Sequence, residues 1–276
     1  MAVQTSPPAA AAGSQKAPVV KRTDNWWGGT LFFFIVFSAF GAWATFRAFQ
    51  NGFYETAGAS QFGGAYYLSP LYSPTLRLST KIAGFNISPA LFILPFPLCF
   101  RLSCYYYRKM LYRAYGADPL GCAIAEPEPL ASMRRKKYKG EKYFPLVVQN
   151  FHRYAFFAAA IFIIMLWKDT IESFFFKSGD SMHFGMGLGS IVFLTNVVLL
   201  SCYTFSCHSW RHFVGGNADC YSCSVLNQTK HGLWKKVSFI NEKHGTFAMA
   251  SLISVALTDV YVFLVTSGHF HDIRFF

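Results

Sequence analysis

Charge is what this sequence has least of. Asp, Glu, Lys and Arg together make up 14% of its 276 residues, where an ordinary soluble domain carries about a quarter. Acid is scarcer still, with 13 Asp and Glu against 25 Lys and Arg and a formal net charge of +12. So thin a charge excludes a soluble domain solvated on every side. The basic excess does not make a nucleic-acid binder, because no recognised binding motif accompanies it. There is no internal repeat and no pair of interrupted helices in matching halves, so a transporter with Asp259 on an ion path is the weaker alternative. The length allows one membrane bundle rather than two globular domains.

Apolar residues fill the space, at 53% of the chain, and 31 Phe gather in runs such as Leu31–Phe34 and Phe174–Phe176. A membrane crossing takes about 20 mostly apolar residues. Five stretches qualify: 28–46, 82–100, 145–167, 184–206 and 245–267. Pro89, Pro95 and Pro97 predict a kink in the second. Lys21, Arg22 and the triplet Ala42-Trp43-Ala44 imitate a cleaved secretory signal, but the apolar run is too long for one and four more follow. The expectation is an all-α integral membrane five-helix bundle over residues 26–276, behind a disordered tail, 1–25, rich in Ala, Pro and Ser.

Orientation follows from the basic residues between spans. The tail, loop 101–144 and loop 207–244 hold 18 Lys and Arg, including Arg134-Arg135-Lys136-Lys137, and the opposite side holds six. This asymmetry puts the N-terminus in the cytoplasm and the C-terminus outside, in a multi-pass protein of the cell membrane.

Chemistry collects at the cytoplasmic face. His152, His208, His212, His231 and His244 fall there, as do Cys202, Cys207, Cys220 and Cys223. If the fourth span continues as helix, His208 and His212 lie at i and i+4, about 5–6 Å apart on one face. Gly215-Gly216 ends that helix, and Cys220-x-x-Cys223 follows in a loop free to fold over the histidines. His208, His212, Cys220 and Cys223, with Cys207 in reserve, suit either a tetrahedral zinc site or a Rieske-type 2Fe–2S cluster with a potential of roughly −150 to +300 mV. The rival cofactor is haem b, with His152 paired to His208 or His212; no second histidine pair on the outer side supports a two-haem anchor.

Asp259 is the one carboxylate deep in a span, about 22 Å beyond His244. It is either a proton-relay candidate or a hydrogen-bond partner of Asn196 or Thr195. His152, Arg153 and Tyr154 open the third span where a quinone head group could reach them, with Trp210 and Arg211 nearby; Arg153 also suits a snorkel to lipid phosphate.

The run Asn196-Val197-Val198-Leu199-Leu200-Ser201, then Cys207-His208-x-x-Arg211-His212-x-Val214-Gly215-Gly216, resembles the single-chain membrane anchor of actinobacterial-type succinate dehydrogenases. So do Leu226-Asn227 with His231, and Thr258-Asp259-Val260-Tyr261. The likeness is specific over residues 145–276 and rests on layout before that. It implies a subunit of a succinate:quinone oxidoreductase, not catalytic alone, partnered by a flavoprotein and an iron–sulfur subunit, with room for a further small membrane subunit. It also implies a membrane-embedded Rieske-type cluster in place of haem, and menaquinone as the electron acceptor.

Overall fold

A computed structural model describes residues 25, 27–56, 64–76, 81–82, 85–86, 88–116, 142–144, 146–178, 181–216 and 218–276. The expected N-terminal tail and the basic run 134–137 lie outside the described residues. Four helices are long and apolar enough to cross a membrane, and a bent pair makes a fifth candidate.

Helix α1 runs Gly28–Gln50. It outlasts the expected span by four residues because nothing breaks it until Asn51, which takes up a left-handed conformation at φ 49°. Arg47 is therefore a helical residue inside the bundle and not a loop charge. After a two-residue hairpin, β1 (Lys81–Ile82) and β2 (Phe85–Asn86), come the short α2 (Ala90–Ile93) and α3 (Pro95–Ser103). Pro95 takes the first position of α3, where its missing N–H costs nothing. The large bend is not at the prolines: it is an 85° turn at Cys104 into α4 (Tyr105–Gly116). Residues 101–116, expected as loop, are thus helix. A 3₁₀ turn at Leu146–Phe151 leads into α5 (His152–Glu172), where Lys168 pairs with Glu172 at 2.7 Å.

A second hairpin joins β3 (Phe175–Ser178) to β4 (Ser181–Phe184), so the expected fourth span begins late, at α6 (Leu188–Phe205). The supposed loop 207–244 is mostly two further helices, α7 (His208–Gly215) and α8 (Val225–Asn241). Last comes α9 (His244–Thr266), closed by Gly268 at φ 78°.

Helix α6 packs along α9, α5 lies between α3 and α6, and α1 rests on α4 and α9. Outward side chains are apolar: Ile164 is 70% and Leu257 62% exposed, as a lipid-facing surface requires. α1 ends and α5 begins at opposite ends of the bundle, so the chain has to return between them. α2 and α3 make that return, from Ser88 beside Tyr72 to Ser103 beside His152. At the end away from His152, Asp272 accepts from Tyr67, Tyr261 and the Gly189 N–H, holding the C-terminal residues against α6.

Candidate functional site: a histidine cavity at one end of the bundle

The bend at Cys104, the start of α5, the end of α6 and the start of α9 meet at one end. Between them and α7 lies a cavity of about 790 Å³ whose lining includes Cys104, His152, His208, His212 and His244. Sequence position explains the convergence: His152 and His244 are each the first residue of a membrane helix.

Both of these histidines are held by a serine through Nδ1. Ser103 Oγ lies 3.1 Å from His152 Nδ1 and Ser206 Oγ 2.7 Å from His244 Nδ1. Each serine gives its single proton to a helix carbonyl, Ser103 to Cys99 and Ser206 to Tyr203. With the serine proton given to a carbonyl the imidazole donates from Nδ1, so Nε2 carries the lone pair, and in His244 that nitrogen faces the Cys104 thiol. A ring fixed in this way through its far nitrogen is the arrangement that orients histidine ligands. His152 stacks on Phe100 at 4.6 Å and His244 on Tyr203 at 5.0 Å. Cys104 Sγ sits 3.5 Å from His244 Nε2.

The other wall is α7. It starts because Cys207 is extended and breaks α6, its Sγ accepting from Trp210 N at 3.3 Å as a helix cap. Burial pushes the Cys207 thiol up to about 11, so it stays protonated. One turn carries His208 to His212, and their Nε2 atoms stand 3.0 Å apart. Burial, then His212 and Arg211, hold the His208 imidazole below its ordinary value.

The model of the actinobacterial succinate dehydrogenase subunit SdhC family matches residues 29–268. This chain belongs to that family. A solved structure described as the Mycobacterium smegmatis Sdh1 complex in the apo form contains a chain 37% identical, with a TM-score of 0.76 over 95% of this chain and 97% of that one. No curated protein matches.

Within the SdhC-family chain the expected site residues separate. The histidine pair is brought together as the i, i+4 spacing required. Cys220 and Cys223 are not open thiols beside it: they are joined to each other as a disulfide. Among the described residues no group of three or more His, Cys, Asp or Glu is arranged to hold a metal ion. His208 and His212 thus face the cavity as a pair and Cys220 and Cys223 stand beside each other; two imidazoles and two sulfurs are the donor set that a zinc ion or a Rieske-type cluster takes. Cys207, the reserve ligand, is occupied as a helix cap.

Of the expected quinone-vicinity residues, His152 and Arg153 line the cavity. Tyr154 is exposed, Trp210 packs on Phe156 and Phe205, and Arg211 lies over the Trp234 ring. Cys104 and His244 complete the site, the first unnoticed in the sequence and the second noted among the five histidines but given no role. His244 was visible at the start of a span, whereas nothing in Ser103-Cys104-Tyr105 announces a helix bend.

A second cavity, about 500 Å³ and mostly apolar, lies along α1, α3 and α5. Phe100 and Tyr203, the rings stacked on His152 and His244, line it. One layer of aromatic rings thus separates the two cavities.

Asp259 is completely buried, and both carboxylate oxygens are taken. Arg47 Nε donates at 2.9 Å and Trp43 Nε1 at 2.7 Å to Oδ2, and Ser69 donates to Oδ1. Neither Asn196 nor Thr195 is its partner; Asn196 accepts from Ser254 at 3.1 Å.

Proposed function

We propose that this SdhC-family chain is the membrane anchor of a succinate:quinone oxidoreductase. In this reading it docks a flavoprotein and an iron–sulfur subunit at the histidine-bearing face and passes their electrons to a quinone of the menaquinone class. That face is cytoplasmic. With Arg47 and Arg101 moved into the bundle, the basic residues divide 17 to 5 in its favour, counted from the 18 and six above. The observation that carries the reading is the cavity into which four histidines from α5, α7 and α9 converge, one ring layer from an apolar cavity.

The chain's own residues prepare this site. Ser103 and Ser206 hold two imidazoles through Nδ1, which turns Nε2 of His152 toward the cavity and Nε2 of His244 toward the Cys104 thiol. Phe100, Tyr203 and Phe156 exclude water from the bundle side. His208 and His212, with Cys220 and Cys223 as thiolates, would hold an imidazole-ligated redox centre of Rieske type; such a centre supplies a one-electron relay at raised potential. Haem b is the competing occupant.

The test is the complex purified from cells, analysed for iron, haem and the low-temperature EPR spectrum of its reduced state, beside its quinone reductase rate. A His208→Ala/His212→Ala variant should lose quinone reduction, relative to succinate-dependent dye reduction by the same preparation, together with an EPR signal. Unchanged quinone reduction and spectra would sink the proposed site. A Soret band lost with His152 would give the cavity to haem. Cys220→Ser/Cys223→Ser should lose the same signal; its survival would take the cysteines out of the ligand set.

A further inference from the structure

The apolar cavity has a polar end that nothing in the fold accounts for. Arg101 is the cation of α3 and lines this cavity. Its Nη1 donates to the Tyr107 hydroxyl and, at 3.2 Å, to the Ala248 carbonyl; Nη2 reaches Ser251 Oγ at 3.3 Å. No carboxylate of a described residue pairs with it. Its guanidinium lies over the Tyr203 ring, 5.0 Å from the centroid. Tyr203 is 1% exposed, and its hydroxyl has no hydrogen bond of ordinary geometry, the weakly donating Cys104 thiol being its polar neighbour. A cation without a carboxylate and a hydroxyl left with only a thiol neighbour are each costly inside a membrane bundle, and in a membrane such residues mark a ligand or ion path.

The remainder of the cavity is a channel for something apolar. Phe40, Leu94, Phe162, Leu200 and Leu252 line it. At its rim Phe49, Leu98 and Tyr115 are more than half exposed, so it opens on the bundle's surface. Gly41 is part of the lining, and a Cβ placed there would meet nothing within 4 Å. A ligand of this shape has a hydrogen-bond-accepting head and an unbranched or prenyl tail.

We infer that the quinone head group binds at the polar end of this apolar cavity, one carbonyl accepting from Tyr203 and Arg101, with its tail leaving past Gly41. The assignment rests on the quinone reduction proposed above and moves the head group away from Tyr154, Trp210 and Arg211. It also places the ring one aromatic layer from the histidine cavity, because the far faces of Phe100 and Tyr203 carry His152 and His244.

The experiment compares wild type, Tyr203→Phe and Gly41→Phe in the purified complex. Rates are normalised to succinate-dependent dye reduction, which counts assembled complex. The quinones are a tail-less menaquinone analogue and one with a prenyl tail, and bound phospholipid is measured by mass spectrometry. Tyr203→Phe removes one donor and little volume, and should raise KM for both quinones about three- to tenfold. Gly41→Phe fills open space and should raise KM for the tailed quinone more than for the tail-less one. If both variants keep wild-type KM while quinone is still reduced, the head group binds elsewhere and this inference is wrong. A phospholipid displaced by Gly41→Phe with quinone KM unchanged makes the cavity a lipid site and overturns it as well. Wild type that reduces dye but neither quinone would overturn the functional reading itself.

Discussion

Arg47 and Asp259 are both 0% exposed and 2.9 Å apart, in helices separated by more than two hundred residues. Neither charge has water to turn to, so each depends on the other and on neighbouring dipoles. Arg47 also donates to the carbonyls of Gly52 and Phe53, at 2.9 and 3.0 Å, tying the end of α1 to the turn that follows it. Three of the carboxylate's roughly four lone-pair sites are taken, by Arg47, Trp43 and Ser69, and this set clamps α1 and the Ser69 segment to α9. Breaking a buried pair from one side costs about 3–5 kcal/mol, while replacing both partners with apolar residues is often close to neutral. Asp259→Asn should therefore lower the thermal midpoint of the detergent-purified complex, and Arg47→Met/Asp259→Leu should recover much of the loss. A double variant as unstable as the single one would contradict the clamp. The acid was legible in the sequence as an expensive intramembrane charge. Its partner was not, because Arg47 follows the apolar run and reads as a loop residue until the helix is seen to continue to Gln50.

At the scale of elements, the histidine pair was legible and its support was not. Spacing alone put His208 and His212 on one face. The break before them depends on Cys207, whose thiol caps α7, a role that Ser or Asp would have advertised and Cys does not. The bend at Cys104 was hidden for a similar reason: it has no Gly or Pro at the corner, while three prolines upstream drew attention to the wrong place. The angle of α7 is set by α8. A Cβ on Gly215 would come within 2.8 Å of Trp234 Cβ, closer than side chains pack. Gly215→Val should push α7 off α8 at a cost of about 1–3 kcal/mol. The outcome to look for is a complex that still assembles but melts earlier and reduces quinone more slowly. If thermal midpoint and rate both match wild type, the α7–α8 contact does not position the histidines.

For the whole molecule, the open question of four or five crossings turns on α2 and α3. Their 14 residues, Ala90–Ser103, rise only about 21 Å, short of the roughly 30 Å of a hydrocarbon core. By length alone this segment reads as a re-entrant arm. Connectivity argues otherwise, because α1 leaves Arg47 at one end of the bundle and α5 begins with His152 at the other. Ser88 and Ser103, each bonded to a residue of one end, mark the segment's two limits. Five passages would put the N- and C-termini on opposite sides, and the proposed orientation, from the 17-to-5 division of basic residues, has the histidine end in the cytoplasm. An alkaline phosphatase fused after Phe276 should therefore be active, since the enzyme matures only outside the cytoplasm, and a fluorescent protein at the same point should stay dark. A phosphatase fused after Gly116, past the bend, should be inactive. Activity there with an inactive C-terminal fusion would reverse the orientation. Equal results at the two points would contradict the three crossings by α5, α6 and α9 that separate them, and four crossings would instead put an N-terminal tag on the same side as the C-terminus.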